Sequence, residues 1–167
     1  MTPAVSNFMR QQGFAEEPPD ACDMHFQGLY FQPRIMFTLV VLAILLQNGI
    51  LFLVLSAILW WNVVLPAANP FEVVYNRFFA APRGTAPLTP APGPRRFAQG
   101  MAAAFMLGTG LALLAGQPLI AWVLQGFLVV AFSALLFGRF CLGAYIYHLL
   151  KGRVAFANST LPWARPD

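Results

Sequence analysis

Two cysteines and two histidines are the obvious candidates for chemistry in this chain of 167 residues. Cys22 and His25 form a Cys-x-x-His pair, which is half of a tetrahedral metal site and needs two further ligands. We interpret this pair as part of a solvated tail. The sequence therefore predicts no metal site, and it offers no catalytic constellation of side chains.

Cys141 is the candidate reactive thiol. Arg139, two positions earlier, would favour the thiolate if both side chains faced the same water. Residues two apart do not share a helical face, however, and Cys141 is closer in phase to Gly138 and Tyr145. The alternative is that Cys141 is a small buried hydrophobic residue. Both interpretations stay open at this point.

The composition is that of a membrane domain. Hydrophobic residues make up 59% of the chain and charged residues 10%, whereas an ordinary soluble domain has roughly 45–50% and 25%. A soluble globular protein, a disordered tail and a disulfide scaffold are therefore excluded as classes. The net charge of +4 fits basic loops that contact anionic lipid, and we predict no nucleic-acid partner.

The first hydrophobic half is too long for one membrane span of roughly 20 residues. It is interrupted at Gln47-Asn48-Gly49, and Asn-Gly is a strong turn signal. We predict helices at 33–47 and 50–66. The alternative is one long tilted helix over 35–60.

The second half repeats this outline. We predict helices over 97–115 and 118–150, divided at Gly116-Gln117-Pro118, with about the first 20 residues of the latter needed to span. Between the halves, Asn69 and Pro70 open a short amphipathic helix over 70–80, in which Asn69 is the N-cap and Glu72 the reciprocal cap. This helix should lie at the membrane interface with its aromatic side chains down and Glu72 and Arg77 towards water.

The predicted fold is an all-α integral membrane protein with four transmembrane helices, arranged as two helical hairpins, plus the short interfacial helix. A proline-rich loop covers residues 81–96. The membrane domain, 33–150, lies between a polar N-terminal segment, 1–32, and a polar tail, 151–167. We expect both of these segments to be cytoplasmic.

The orientation follows from the charges. On this map all ten basic residues fall on one side of the membrane and both turns on the other side are uncharged. The positive-inside rule then places both termini and the central loop in the cytoplasm.

Small residues form a stripe along the third predicted helix. Its members stand four residues apart, and a similar stripe lies on the fourth helix. The residues are Gly100, Ala104, Gly108, Ala112 and Gly116 on the third helix, and Gly126, Ala134 and Gly138 on the fourth. Such stripes mark helix–helix contacts in lipid. Either these two helices pack on each other, or a helix of a partner subunit docks there.

The predicted membrane interior contains no Asp, Glu, Lys or His, which argues against a pump or coupled transporter. We therefore expect a non-catalytic accessory or assembly subunit of a larger membrane complex, respiratory or photosynthetic. The alternatives are a membrane thiol-redox protein that uses Cys141 and a small oligomeric channel or carrier. The expected partners are membrane lipids and other membrane subunits. No cofactor is predicted, although the aromatic-rich surface could contact lipid, quinone or carotenoid tails.

Several stretches, in order, resemble a bacterial membrane family known as domain of unknown function 4395. They are Asn69-Pro70-Phe71 with Tyr75-Asn76, Pro87-Leu88-Thr89-Pro90, Arg95-Arg96-Phe97-Ala98, and Phe140-Cys141-Leu142-Gly143 with Tyr147. The resemblance covers roughly residues 30–150. It implies a four-helix protein of the bacterial inner membrane without an established activity. Relatives carry a second cysteine three positions after the first, where this chain has Ala144, so a dithiol is not carried over.

Overall fold

The computed structural model describes residues 3–14, 19–84 and 87–164, without the side chains of residues 19–25. The Cys22–His25 pair therefore lies outside the described side chains. The described residues are helical and contain no strand. The α-helices are α1 (Pro3–Gln12), α2 (Pro19–Leu45), α3 (Gly49–Val64), α4 (Pro70–Tyr75), α5 (Gly93–Leu114), α6 (Pro118–Leu136), α7 (Leu142–Leu150) and α8 (Val154–Ser159).

Three of these helices are long and apolar enough to cross a membrane. They are Phe26–Leu45 within α2, Gly93–Leu114 and Pro118–Leu136. Helix α3 is equally apolar but has 16 residues, fewer than the roughly 20 that a straight span requires. The prediction of an all-α membrane protein is confirmed at this level.

Helix α2 begins earlier than the sequence suggested. It starts at Pro19 and continues through Pro33, where the prediction had placed its beginning. A proline inside a helix removes one backbone hydrogen bond. Here burial of Phe26, Leu29 and Tyr30, each at most 9% exposed, stabilises the preceding turns. Their packing outweighs the loss of that backbone hydrogen bond.

The turn between α2 and α3 is short. Gln47 adopts a left-handed conformation with φ 45°, and the side chain of Asn48 accepts a hydrogen bond from Leu51 N at 2.9 Å as the N-cap of α3. A side-chain oxygen at this position satisfies one of the free N–H groups that begin a helix.

The predicted continuous helix over 118–150 was wrong. Helix α6 ends at Leu136 and α7 begins at Leu142. Between them Arg139 is left-handed, with φ 52°, and Phe140 N donates back to Ala134 O at 3.1 Å. Glycine usually occupies the left-handed position that ends a helix, so an arginine there gave no stop signal in the sequence.

The interfacial helix is also shorter than predicted. Asn69 caps α4 by accepting from Phe71 N at 3.0 Å, as the sequence indicates, but α4 ends at Tyr75. A π-helical turn (Asn76–Ala80) and a 3₁₀ turn (Ala81–Arg83) follow it. The prediction that Glu72 faces water was wrong: this side chain is buried and turned inward towards Arg95.

Helices α3 and α5 pack backbone to backbone. A Cβ added at Gly110 would lie 2.8 Å from the carbonyl oxygen of Gly49, and one added at Gly49 would lie 2.9 Å from that of Gly110. The hydroxyl of Ser56 donates to Ala103 O at 2.8 Å along the same contact. Only glycine permits backbones to approach this closely.

The predicted stripe of small residues does not form one interface. Gly100 faces Val63 of α3, whereas Gly108 faces Leu124 of α6, at 3.8 and 3.1 Å from an added Cβ. Ala112 is buried, and Ala104 is exposed. Positions four apart drift around a helix with 3.6 residues per turn, so the stripe is shared between neighbours.

The remaining predicted small residues lie elsewhere. Gly116 is the left-handed residue that ends α5, with φ 68°, and Gly126 faces open space on α6. Gly138 lies in the break after α6, where an added Cβ would be 2.7 Å from the carbonyl oxygen of Ala134.

The two terminal regions are hydrogen-bonded to each other. They meet at the end of the bundle opposite the turns that precede α3 and α6. The amide of Asn7 donates to Leu161 O and Ala164 O, both at 2.9 Å. Val5, Phe8 and Met9 of α1 are buried. Residues of α1, in the segment predicted as polar, thus contribute part of the core.

Candidate functional site

A cavity of about 310 Å³ lies among α2, α5, α6 and the start of α7. Its walls are almost entirely apolar. They include Leu29 and Met36 of α2, Met101, Ala102 and Phe105 of α5, Leu128, Ala131, Phe132 and Leu135 of α6, and Leu142 and Ile146 of α7. This volume is at the small end of the range typical of ligand sites, about 300–1,000 Å³.

The polar groups of the cavity wall come from α1, α2 and α5 and from the residue that precedes α7. They are Gln12, Gln32, Arg95, Gln99 and Cys141. Amides and a guanidinium can hold a ligand by hydrogen bonds, and a few such groups in an apolar wall are typical of small-molecule sites.

Arg95 is the central polar group. Its side chain is buried, and Nη2 lies 4.0 Å from Oε1 of Glu72, itself buried. At this distance the two groups form an ion pair, but they are too far apart for a hydrogen bond. Nη1 of Arg95 has no hydrogen-bond partner among the described residues. Burial raises the pKa of Glu72, and the charge of Arg95 and a hydrogen bond with Asn69 oppose that shift.

An amide network borders Arg95. The carbonyl oxygen of the Gln32 side chain accepts from Asn69 Nδ2 at 3.2 Å and from Gln99 Nε2 at 3.1 Å. Because its nitrogen is used in this way, the orientation of the Gln99 amide is fixed. Its Oε1 is buried and has no hydrogen-bond partner in the described part of the chain.

Cys141 lies at the N-terminus of α7, outside the candidate spans, and is 6% exposed. Burial raises the pKa of its thiol. Hydrogen bonds from the Ala144 and Gly143 backbone and from Gln12, together with the charge of Arg95, oppose this effect without overcoming it. A thiol with a raised pKa is protonated at neutral pH and is a poor nucleophile, so the geometry favours the buried interpretation.

Gln11 joins α1 to this end of the bundle. Its Oε1 accepts from Cys141 N at 2.8 Å, and its backbone carbonyl lies 3.0 Å from Nε2 of His148. A carbonyl oxygen can only accept, so Nε2 carries the proton. Gln11 thereby fixes the position of Cys141 beside the cavity.

Of the predicted site residues, only Cys141 lines this cavity. The predicted small-residue positions lie outside it, and the sequence reasoning missed Arg95 and Gln99. One signal was available: Arg95 and Gln99 are four residues apart and share a helical face that continues into Ala102 and Met106 of α5. Their burial depends on tertiary packing, which the sequence pattern does not show.

Comparison with known families identifies the matched region. Residues 27–152 match the model described as domain of unknown function (DUF4395). The chain belongs to the DUF4395 family. The match contains Arg95, Gln99 and Cys141, and it leaves α1 outside. No curated protein and no solved structure matches the chain.

Proposed function

We propose that this chain is a non-catalytic accessory or assembly subunit of a larger membrane complex, respiratory or photosynthetic, and that it holds a lipophilic molecule in the cavity beside Arg95. The other subunits of that complex are its protein partners. The complex lies in the bacterial inner membrane.

The observation that carries this proposal is the chemistry of the cavity. Its walls are apolar and come largely from the three helices that can cross a membrane. The polar groups at one end are amides, a guanidinium and a buried thiol with a raised pKa. Such groups bind and orient a molecule, whereas an acid–base or nucleophilic mechanism needs groups poised to exchange protons near neutral pH.

The proposed topology has four membrane-inserted helices, α2, α3, α5 and α6, with α3 inserted as a short helix against α5. This topology is supported by the contacts at the two ends of the helical bundle. The terminal regions meet at one end, where Asn7 binds Leu161 O and Ala164 O. At the other end Gly49 contacts Leu113 and Leu114 of α5. Basic residues near the end where the termini meet support a cytoplasmic location for both termini.

The outer face of α6 is the proposed contact with other subunits or lipid. Trp122, Val123, Phe127 and Val130 are exposed there. Gly126 lies among them with nothing near an added Cβ.

Native mass spectrometry of the full chain, extracted from its membrane in mild detergent, tests the binding function. We expect a retained mass that organic solvent releases. Ala102→Phe, which fills the cavity, should lose this mass. Ala104→Phe, two residues along the same helix but exposed, should keep it. Equal retention by both variants, or no retained mass in the wild type, would contradict binding in the cavity.

Membership of a complex is tested separately by migration of the same extract on a native gel. We expect the chain in a band much larger than its own 18.4 kDa. Ala81→Cys and Gln117→Cys, both exposed, test the topology in a background without Cys22 and Cys141. A membrane-impermeant maleimide should label Gln117→Cys in intact cells and Ala81→Cys only in inverted vesicles.

A further inference from the structure

We propose that the cavity takes the head of a quinone or quinol, with a carbonyl oxygen accepting a hydrogen bond from Nη1 of Arg95. This inference rests on the proposed function and narrows it, because it selects one ligand class from the lipophilic molecules that an apolar cavity could hold.

The buried guanidinium is the first argument. Arg95 lines the cavity, is 6% exposed, and has no hydrogen-bond partner for Nη1 among the described residues. A buried donor without an acceptor is costly, and it stays protonated because arginine does not lose its charge in proteins. A pure hydrocarbon would fill the cavity but leave this donor unsatisfied.

The second argument is the missing partner of Gln99. Gln99 lines the cavity one helical turn from Arg95, and its Oε1 is an acceptor without a donor among the described residues. A carbonyl head satisfies Arg95, and the hydroxyl of a reduced ring also satisfies Gln99. A quinone ring carries two carbonyl oxygens that accept, and a quinol ring carries two hydroxyls that both accept and donate, at opposite positions or side by side.

The charge of the site argues for a neutral head. Glu72, 4.0 Å from Nη2, already supplies the negative charge that balances Arg95. A fatty-acid carboxylate would place a second negative charge beside one guanidinium. A quinone carbonyl or a quinol hydroxyl oxygen accepts the hydrogen bond without adding charge, so the head is one of these neutral groups rather than an acid.

The cavity also has a route for a hydrocarbon tail. Phe127 and Leu142 line it and are 57% and 37% exposed. The cavity therefore reaches the outer surface beside α6, where the rings of Phe105 and Phe127 lie 5.8 Å apart. A ring at Arg95 can extend its chain past the exposed side chains of Phe127 and Leu142 into lipid.

Equilibrium binding of three probes to the full chain in nanodiscs tests the assignment. The probes are a benzoquinone with a ten-carbon chain, an alkylbenzene of the same length and decanoic acid. We expect the benzoquinone to bind about tenfold or more tightly than the alkylbenzene, the ratio that one charge-assisted hydrogen bond supplies. Decanoic acid should bind no better than the alkylbenzene.

Two adjacent arginines provide the matched variants. Arg95→Met, combined with Glu72→Gln so that no buried carboxylate is left unpaired, should abolish the preference for the benzoquinone while retaining the alkylbenzene. Arg96→Met should keep the preference, because Arg96 donates instead to Val63 O, at 2.7 and 3.1 Å, and does not line the cavity.

The outcomes distinguish the quinone assignment from the existence of a lipophilic site. Equal binding of benzoquinone and alkylbenzene, or a preference that survives loss of Arg95, would overturn the quinone assignment and leave the lipophilic site intact. A preference for decanoic acid would overturn it in favour of an acid. If no probe binds, or if all three bind Ala102→Phe as they bind the wild type, the site itself fails.

Discussion

Helices α3 and α5 meet backbone to backbone at Gly49 and Gly110, whereas α2 and α6 are bridged by side chains at two separated points. The hydroxyl of Tyr30 donates to Leu135 O at 2.9 Å near one end. Near the other, Nε2 of Gln47, in the turn that follows α2, donates to Oε1 of Gln125 at 3.2 Å. Most of the α2 and α6 residues that line the cavity lie between these two bridges in sequence.

The difference separates a rigid part of the bundle from an adaptable one. Without a hydrophobic force between helices in lipid, close packing and interhelical hydrogen bonds hold a membrane bundle together. The α3–α5 pair combines close backbone packing at Gly49 and Gly110 with the Ser56–Ala103 hydrogen bond and leaves no room for a ligand between them. The α2–α6 pair relies on side-chain hydrogen bonds, which allow a molecule to enter between the bridges without repacking the whole bundle.

The largest expected effect is that of Gly110→Leu. The new side chain would collide with the carbonyl oxygen of Gly49 and with Leu53, at 2.8 Å from the first added carbon. We expect a loss of about 3 kcal/mol in unfolding free energy, the upper part of the usual cost of overpacking. Thermal unfolding in detergent measures it.

Gly126→Leu is the matched control for this substitution. Gly126 lies in a helix as well but faces open space, so its replacement should change the unfolding free energy by no more than about 0.5 kcal/mol. If the two variants lose equal stability, the contrast between a close contact and an open face is unfounded.

The second effect tests the bridges between α2 and α6. Tyr30→Phe removes the hydrogen bond to Leu135 O, and Gln125→Leu removes the two hydrogen bonds with Gln47. Each substitution should cost about 1 kcal/mol. Because the bridges are far apart, the double variant should lose the sum of the single losses. Strong non-additivity in chemical denaturation would show that the two bridges act as one unit.

The smallest effect concerns the thiol. Since burial raises the pKa of Cys141, its thiolate fraction should still be rising at pH values above the ordinary thiol pKa of about 8.5. The alkylation rate should therefore reach its plateau at a higher pH for Cys141 than for an exposed Arg83→Cys thiol. Cys22 is replaced in both proteins.

The raised pKa of Cys141 also makes the stability of the protein depend on pH. The folded protein holds the Cys141 proton more tightly than the unfolded chain, so the contribution of this thiol to stability is present below the unfolded pKa and is lost as pH rises through the folded one. Cys141→Ser should remove this pH dependence. A Cys141 that alkylates as fast as the exposed thiol at neutral pH would instead favour the thiol-redox alternative.

Features with a strong local cause could be predicted from the sequence. Apolar runs predicted membrane helices, and Asn69 predicted the beginning of α4 through its side-chain cap. The end of α6 was missed because the left-handed residue there is Arg139 rather than glycine. Continuation of α2 through Pro33 was missed because packing of Leu29 and Tyr30, which is not local, outweighs a missing hydrogen bond.

The site was less predictable than the helices. Arg95 lies beside Arg96, and in the sequence the two are equivalent basic residues before an apolar run. In the structure Arg96 caps the end of α3, whereas Arg95 turns inward towards Glu72. Their roles depend on which helix face meets α4, and that is set by tertiary packing. The inward turn of Glu72 was missed for the same reason.

The most direct test of the central claim, that the cavity holds a lipophilic molecule, is the unfolding temperature with and without the ten-carbon benzoquinone. A ligand at a hundred times its Kd should stabilise the wild type by about 2.7 kcal/mol, and Ala104→Phe should respond equally. Ala102→Phe should gain nothing from the ligand, because the added ring fills the space that the ligand needs. An equal rise in the unfolding temperature of Ala102→Phe and the wild type would contradict the claim.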